Sequence, residues 1–210
     1  MQHDGQNAPN AANSDANTAH YDLLAGTEVC GPGSETSGVL SLTAGTVVSF
    51  RPVSPHDAPA LKRLHGRLSE RSIELRFFGP LKELSDEMAV YLARAADADR
   101  FALAALEPDG REEIIAVVRY AREAGTERAE YAAVVEDRWQ GLGLGLAMTD
   151  RLIEVASERG VRCLYALVTP ENARMLRLLR DLGLPTRVSR DGGAKRVEID
   201  LPHNGVAEEA

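Results

Sequence analysis

Apolar and polar residues first fall into a regular pattern near Thr46 and keep it to about residue 202. Val47-Val-Ser-Phe-Arg-Pro-Val53 has strand composition, and Ser54-Pro-His-Asp57 supplies a cap and an early Pro for a helix running to about Arg67. Ser69 caps a second short helix closed by Gly79-Pro80, with Phe77 and Phe78 expected to anchor it in the core. Ser85-Asp-Glu-Met opens a third helix reaching about Ala96. Three strands follow at 101–106, 114–120 and 130–135. Pro108-Asp-Gly110 and Gly125 are placed as antiparallel hairpins require. The next helix runs to about Arg159, with Met148, Leu152, Val155 and Ala156 as its apolar stripe, and Gly160 stops it. Val161–Val168 reads as a strand, and Pro170-Glu-Asn172 opens a helix through about Leu182. A last hairpin pairs 186–189 with 196–201 around Asp191-Gly-Gly193.

The sharpest chemistry lies in Val134-Val-Glu-Asp-Arg-Trp-Gln-Gly-Leu-Gly-Leu-Gly-Leu146. A strand feeding a Gly-rich turn that opens a helix presents free N–H groups at a positive helix dipole, which is an anion cradle. The dinucleotide fingerprint needs different Gly spacing, and a Walker loop needs a Lys that residues 137–160 lack. Gln140 followed by Gly141, Gly143 and Gly145 instead resembles the pyrophosphate loop of the GNAT superfamily of acyl-CoA N-acyltransferases. The element order is also similar to that superfamily's over residues 46–202. The resemblance implies an α/β (α+β) fold, with a mixed, mostly antiparallel sheet flanked by helices and a splayed strand pair holding acetyl-CoA.

Two further segments, Ser69-Glu-Arg-Ser72-Ile-Glu-Leu-Arg76-Phe-Phe-Gly-Pro80 and Arg128–Val135, are similar to bacterial protein lysine acetyltransferases that act on acyl-CoA synthetases. In that group the GNAT domain is often fused to a regulatory domain. The mostly polar segment of 45 residues that opens this chain is expected to be too short to form one.

The resemblance implies a role for each of several residues. Glu130 takes the position of the family's catalytic glutamate, the base that frees an amine of pKa about 10.4 from its proton. Val134 and Val135 offer backbone groups to the pantetheine arm. Gln140, Gly141, Leu142, Gly143, Leu144 and Gly145 wrap the pyrophosphate with main-chain N–H groups. Asn172 holds the cofactor or simply caps its helix. Ser69, Ser72 and Arg76 share a helical face on the acceptor side. Many relatives carry Arg or Lys where Leu142 and Leu144 stand, and a tyrosine general acid where this chain has Leu179. Glu136 and Asp137, negative beside the loop, are expected to point away from it, toward a cationic acceptor. Cys163 and Trp139 read as packing residues.

Composition narrows the partners. A net charge of −8 argues against sequence-independent nucleic-acid binding. No apolar run approaches the roughly 20 residues of a membrane helix. Cys30 and Cys163 suggest no disulfide framework, and no metal-ligand spacing appears among the five histidines. The expectation is a metal-free cytoplasmic enzyme, a monomer or homodimer. Residues 1–45, without Lys or Arg, read as a disordered polar tail, and 203–210 as a short C-terminal one. The acceptor is a protein lysine or a small amine such as a polyamine, amino acid or aminoglycoside. A non-catalytic acyl-CoA sensor is the alternative from another class.

Overall fold

A strand buried on both faces alternates its side chains between two cores, and β3 (Arg100–Leu106) does so. Phe101, Leu103 and Ala105 enter one apolar cluster, while Ala102 and Ala104 enter the other. The computed structural model describes residues 36–202 except 44 and 96. The other strands are β1 (Gly38–Ser41), β2 (Val47–Pro52), β4 (Ile114–Arg122), β5 (Arg128–Val135), β6 (Cys163–Val168), β7 (Thr186–Asp191) and β8 (Ala194–Asp200). They form one sheet in the order β1-β2-β3-β4-β5-β6-β8-β7. Every neighbouring pair is antiparallel except β5 and β6, which run parallel. The mixed, mostly antiparallel sheet flanked by helices agrees with the fold read from the sequence.

Among the described residues, five α-helices cover the two faces: α1 (Ala58–Arg67), α2 (Glu70–Phe77), α3 (Asp86–Ala93), α4 (Leu144–Glu158) and α5 (Ala173–Asp181). Side-chain caps start three of them. Ser69 accepts from Ser72 N, Ser85 from Met88 N and Asn172 from Met175 N. α1 and α3 cover the cluster that holds Val53, Leu61, Leu64, Leu84 and Ala89. α4 buries Met148, Leu152, Val155 and Ala156, the stripe expected from helical spacing, against the other cluster. β2 is locked to the start of α1 by Arg51, which donates to both carboxylate oxygens of buried Asp57 at 2.7 and 2.8 Å.

Three expectations need correction. The sheet begins before Thr46, because Gly38–Ser41 pairs with Val47–Phe50 as an edge strand that buries Leu40 and leaves Val39 exposed. The rest of the expected tail, residues 1–35 and 203–210, lies outside the described residues. The third helix ends at Ala93, short of the expected 96. Phe77 packs against the core, but Phe78 does not. It takes a left-handed backbone (φ 60), stands 50% exposed and faces the cleft described below. The helix therefore ends at Phe77, and Phe78 rather than Gly79 takes the left-handed cap, a conformation that costs a bulky side chain free energy.

Candidate active site

β5 and β6 pair only where Arg128–Glu130 meets Cys163–Tyr165. Beyond that point they part, and a cleft of about 810 Å³ opens between them. Glu130 is the last paired residue of β5, so its half-buried side chain stands at the apex of the opening and lines it.

The backbone facing this gap can be identified. Glu136 N donates to Ile115 O at 2.8 Å, and Glu123 N donates to Arg128 O at 2.9 Å. In an antiparallel ladder, residues bonded to the neighbour alternate with residues turned away. Even-numbered β5 residues therefore face β4, and Ala133 and Val135 face the gap. Val134 commits its N–H and C=O to β4, which corrects its assignment as a backbone contact, although its side chain still lines the cleft. The Val135 carbonyl accepts from Gln140 Nε2 at 2.8 Å.

The three glycines of the loop are needed for different reasons. Gly141 and Gly143 have φ of 79 and 86, the region open to glycine at no steric cost. A Cβ on Gly145 would meet Leu178 of α5 at 3.0 Å, so this glycine lets α5 pack directly on the start of α4. Leu144 is fully buried and Leu142 packs against the core, so neither leucine side chain enters the cleft. Thr43, after β1, donates from Oγ1 and from its backbone N to Leu142 O at 2.8 and 3.3 Å. The first N–H groups of α4 have no intrahelical acceptor and sit behind Gly143 at the positive end of the helix. This cradle, open at Gly141 and Gly143, fits a pyrophosphate. The Gln140 N–H is an exception, because it donates to Asp137 O at 3.3 Å and is not available as a loop donor.

Ser72 and Arg76 of α2 and its N-cap Ser69 line the cleft, and the two hydroxyls are already engaged. Ser69 N and Oγ donate to Asp137 at 2.8 and 2.7 Å, and Ser72 Oγ donates to it at 2.8 Å. Burial pushes the Asp137 carboxyl up, and these hydrogen bonds outweigh it, holding the group below the usual carboxylate range. Gln140 Nε2 adds a contact to Ser72 Oγ at 3.2 Å, and Gln140 Oε1 accepts from Arg174. Asp137 thus lines the cleft with its carboxylate held by Ser69 and Ser72 at the start of α2. Buried Glu136 likewise turns to Arg67 and Arg138. Arg76 lies over Phe77 with 5.0 Å to the ring centroid, and no carboxylate of the described residues pairs with it.

Asn172 lines the cleft while its Oδ1 caps α5 by accepting from Met175 N at 3.1 Å. Leu179 is buried, so that position offers no hydroxyl. Tyr131 does not replace it. Its hydroxyl is held to Thr149 Oγ1 at 2.7 Å, and burial pushes its ionisation well above the ordinary range. Cys163 is buried in the sheet, where burial raises its thiol pKa. Trp139 packs against the core cluster. Among the described residues no group of acidic, His or Cys side chains could hold a metal, and no helix is long and apolar enough to cross a membrane. The sequence reading missed Thr43, Arg174 and Arg177 in the cleft wall. For the two arginines a signal existed, since they lie three residues apart, on one face of the helix that Asn172 opens.

A sheet parted at one parallel seam, with a Gly loop and a helix start at its mouth, is an acyltransferase architecture. The model of the Acetyltransferase (GNAT) family matches residues 69–184, and the chain belongs to that family of enzymes, which uses acetyl-CoA. It is 32% identical over 146 residues to an acetyltransferase of Pseudomonas aeruginosa, covering 69% of this chain and 78% of that protein. It is 31% identical over 155 residues to the acetyltransferase Pat of Mycolicibacterium smegmatis, covering 73% of this chain but 45% of Pat. Among solved structures, the GNAT domain of S. lividans PAT matches with a TM-score of 0.75 at 31% identity, over 81% of this chain and 100% of that domain.

Proposed function

We propose that this acetyltransferase carries an acetyl group from acetyl-CoA to a protein lysine, with Glu130 as the base. The observation that carries the reading is the position of Glu130 at the apex of the cleft whose mouth is the Gly loop. Acetyl-CoA supplies an activated acyl carbon and a thiolate leaving group. Glu130 takes the proton from the incoming ammonium, directly or through one water, and so frees the nitrogen lone pair for attack. The N–H of Val135 and the backbone of Ala133 line the gap as an exposed strand edge, suited to an extended amide-bearing arm. Gly141, Gly143 and Gly145 expose the loop's N–H groups to phosphate, and the Asn172 amide N–H₂ remains available beside its capping oxygen. No tyrosine acid stands at position 179, and a CoA thiolate is weakly basic enough to leave without one.

A protein acceptor is favoured by the similarity to Pat and by the Ser69–Pro80 segment, which forms one wall of the cleft with Arg76 and exposed Phe78. Release of free thiol from acetyl-CoA tests this reading with an acyl-CoA synthetase, polyamines, amino acids and aminoglycosides as acceptors. Turnover on the synthetase is expected, with Glu130→Gln lowering it by about 100-fold or more at unchanged Tm. Turnover on small amines alone would replace the protein acceptor. A Gln variant as active as the parent would remove Glu130 from the chemistry.

A further inference from the structure

The Gly loop from Gln140 to Gly145 has no basic side chain, and Leu142 packs away while Leu144 is buried. Positive charge reaches the same cleft from the neighbouring helix α5. Arg174 and Arg177, one helical turn apart on α5, both line it and are both exposed. Arg174 donates to Gln140 Oε1, which places its guanidinium beside the first residue of the loop. No carboxylate of the described residues pairs with either arginine. Their position is also fixed, because Leu178 of the same helix rests on Gly145, where a Cβ would come within 3.0 Å.

We infer that Arg174 and Arg177 are the phosphate-binding cations of this enzyme, supplying to coenzyme A the charge that the loop itself lacks. The inference rests on the assignment of the cleft to acetyl-CoA. Main-chain N–H groups hold one side of the ligand's phosphates, and the two guanidinium groups close on the other. Gln140 keeps Arg174 turned toward the loop, where a phosphate would be the stronger acceptor. With no carboxylate partner among the described residues, both cations can turn to the ligand, Arg174 by exchanging its bond to Gln140.

Calorimetric titration with coenzyme A, at low and high NaCl, reads this directly without turnover. Arg174→Gln and Arg177→Gln are each expected to weaken binding roughly tenfold, and together more, at unchanged Tm. Their affinity should also fall less steeply with salt than that of the parent, because the screened contacts are gone. Arg174→Lys and Arg177→Lys should recover most of the affinity and of the salt response. Variants that bind within twofold of the parent, or that weaken with an unchanged salt response, would overturn the inference. If the parent itself binds no coenzyme A, the assignment of the cleft fails and this inference falls with it.

Discussion

The two ends of the β5–β6 pair are made from the same two strands and could hardly differ more. At the closed end, Arg162 N and Cys163 N donate to Glu127 O at 2.8 and 3.2 Å, and Arg128 reaches across the sheet to Glu198 of β8, which Arg196 of the same strand also pairs. Arg196 lies over the Tyr165 ring with 3.7 Å to its centroid. At the open end, Ala133 and Val135 face a gap, and α2, α4 and α5 stand around it. Polar groups that knit the closed end are replaced at the open end by polar groups that hold its walls apart. The cleft is therefore a supported opening, with Gln140 bridging β5, α2 and α5 through Val135, Ser72 and Arg174.

Substitutions can separate the two ends. The loss with Glu130→Gln, at the junction between them, is the largest expected. Next is Asp137→Ala, which removes the acceptor of three hydrogen bonds from α2 and should cost about 2 kcal/mol in chemical denaturation. Its effect has a definite pH sign. The Asp137 pKa is lowered on folding, so its contribution is present above the unfolded carboxylate range, about 4, and is lost as pH falls through the lower folded value. The stability gap between parent and variant should accordingly narrow on acidification, and a constant gap would assign the loss to packing. Gly143→Ala comes third. At φ 86 a Cβ is strained by about 1–2 kcal/mol, and it would sit 3.2 Å from Thr43 Oγ1. Weaker coenzyme A binding, by about tenfold, is the outcome to look for in titration. Smallest is Glu198→Gln at the closed end, about 0.5–1 kcal/mol of stability with kcat unchanged. A kcat loss there would show that the weld also sets the geometry of the opening.

Most elements were legible because their signals are local. Caps at Ser69, Ser85 and Asn172, the α4 stripe and the last hairpin all lie within a few residues of what they specify. β1 was not legible. It buries Leu40 by pairing with β2, and a four-residue alternation inside a polar segment is too short to distinguish from a tail. In the site, the loop and Glu130 could be placed from chain order and family resemblance. The partners of Asp137 could not, because Ser69 and Ser72 lie 68 and 65 residues away in sequence. The orientation of Val134 and Ala133 was hidden for another reason. Which β5 residues face the gap depends on hydrogen-bond parity with β4, and hydrophobic alternation carries no record of it.

The bond from Thr43 to Leu142 joins residues 99 apart in sequence, the longest separation among the side-chain hydrogen bonds of the cleft. Contacts of that span form only after a long loop has closed, and they come late when the helices and hairpins between them form quickly. The phosphate loop should thus be among the last parts of this molecule to mature on refolding. Recovery of coenzyme A binding should then trail recovery of helical signal, with the N-terminal hairpin setting the delay.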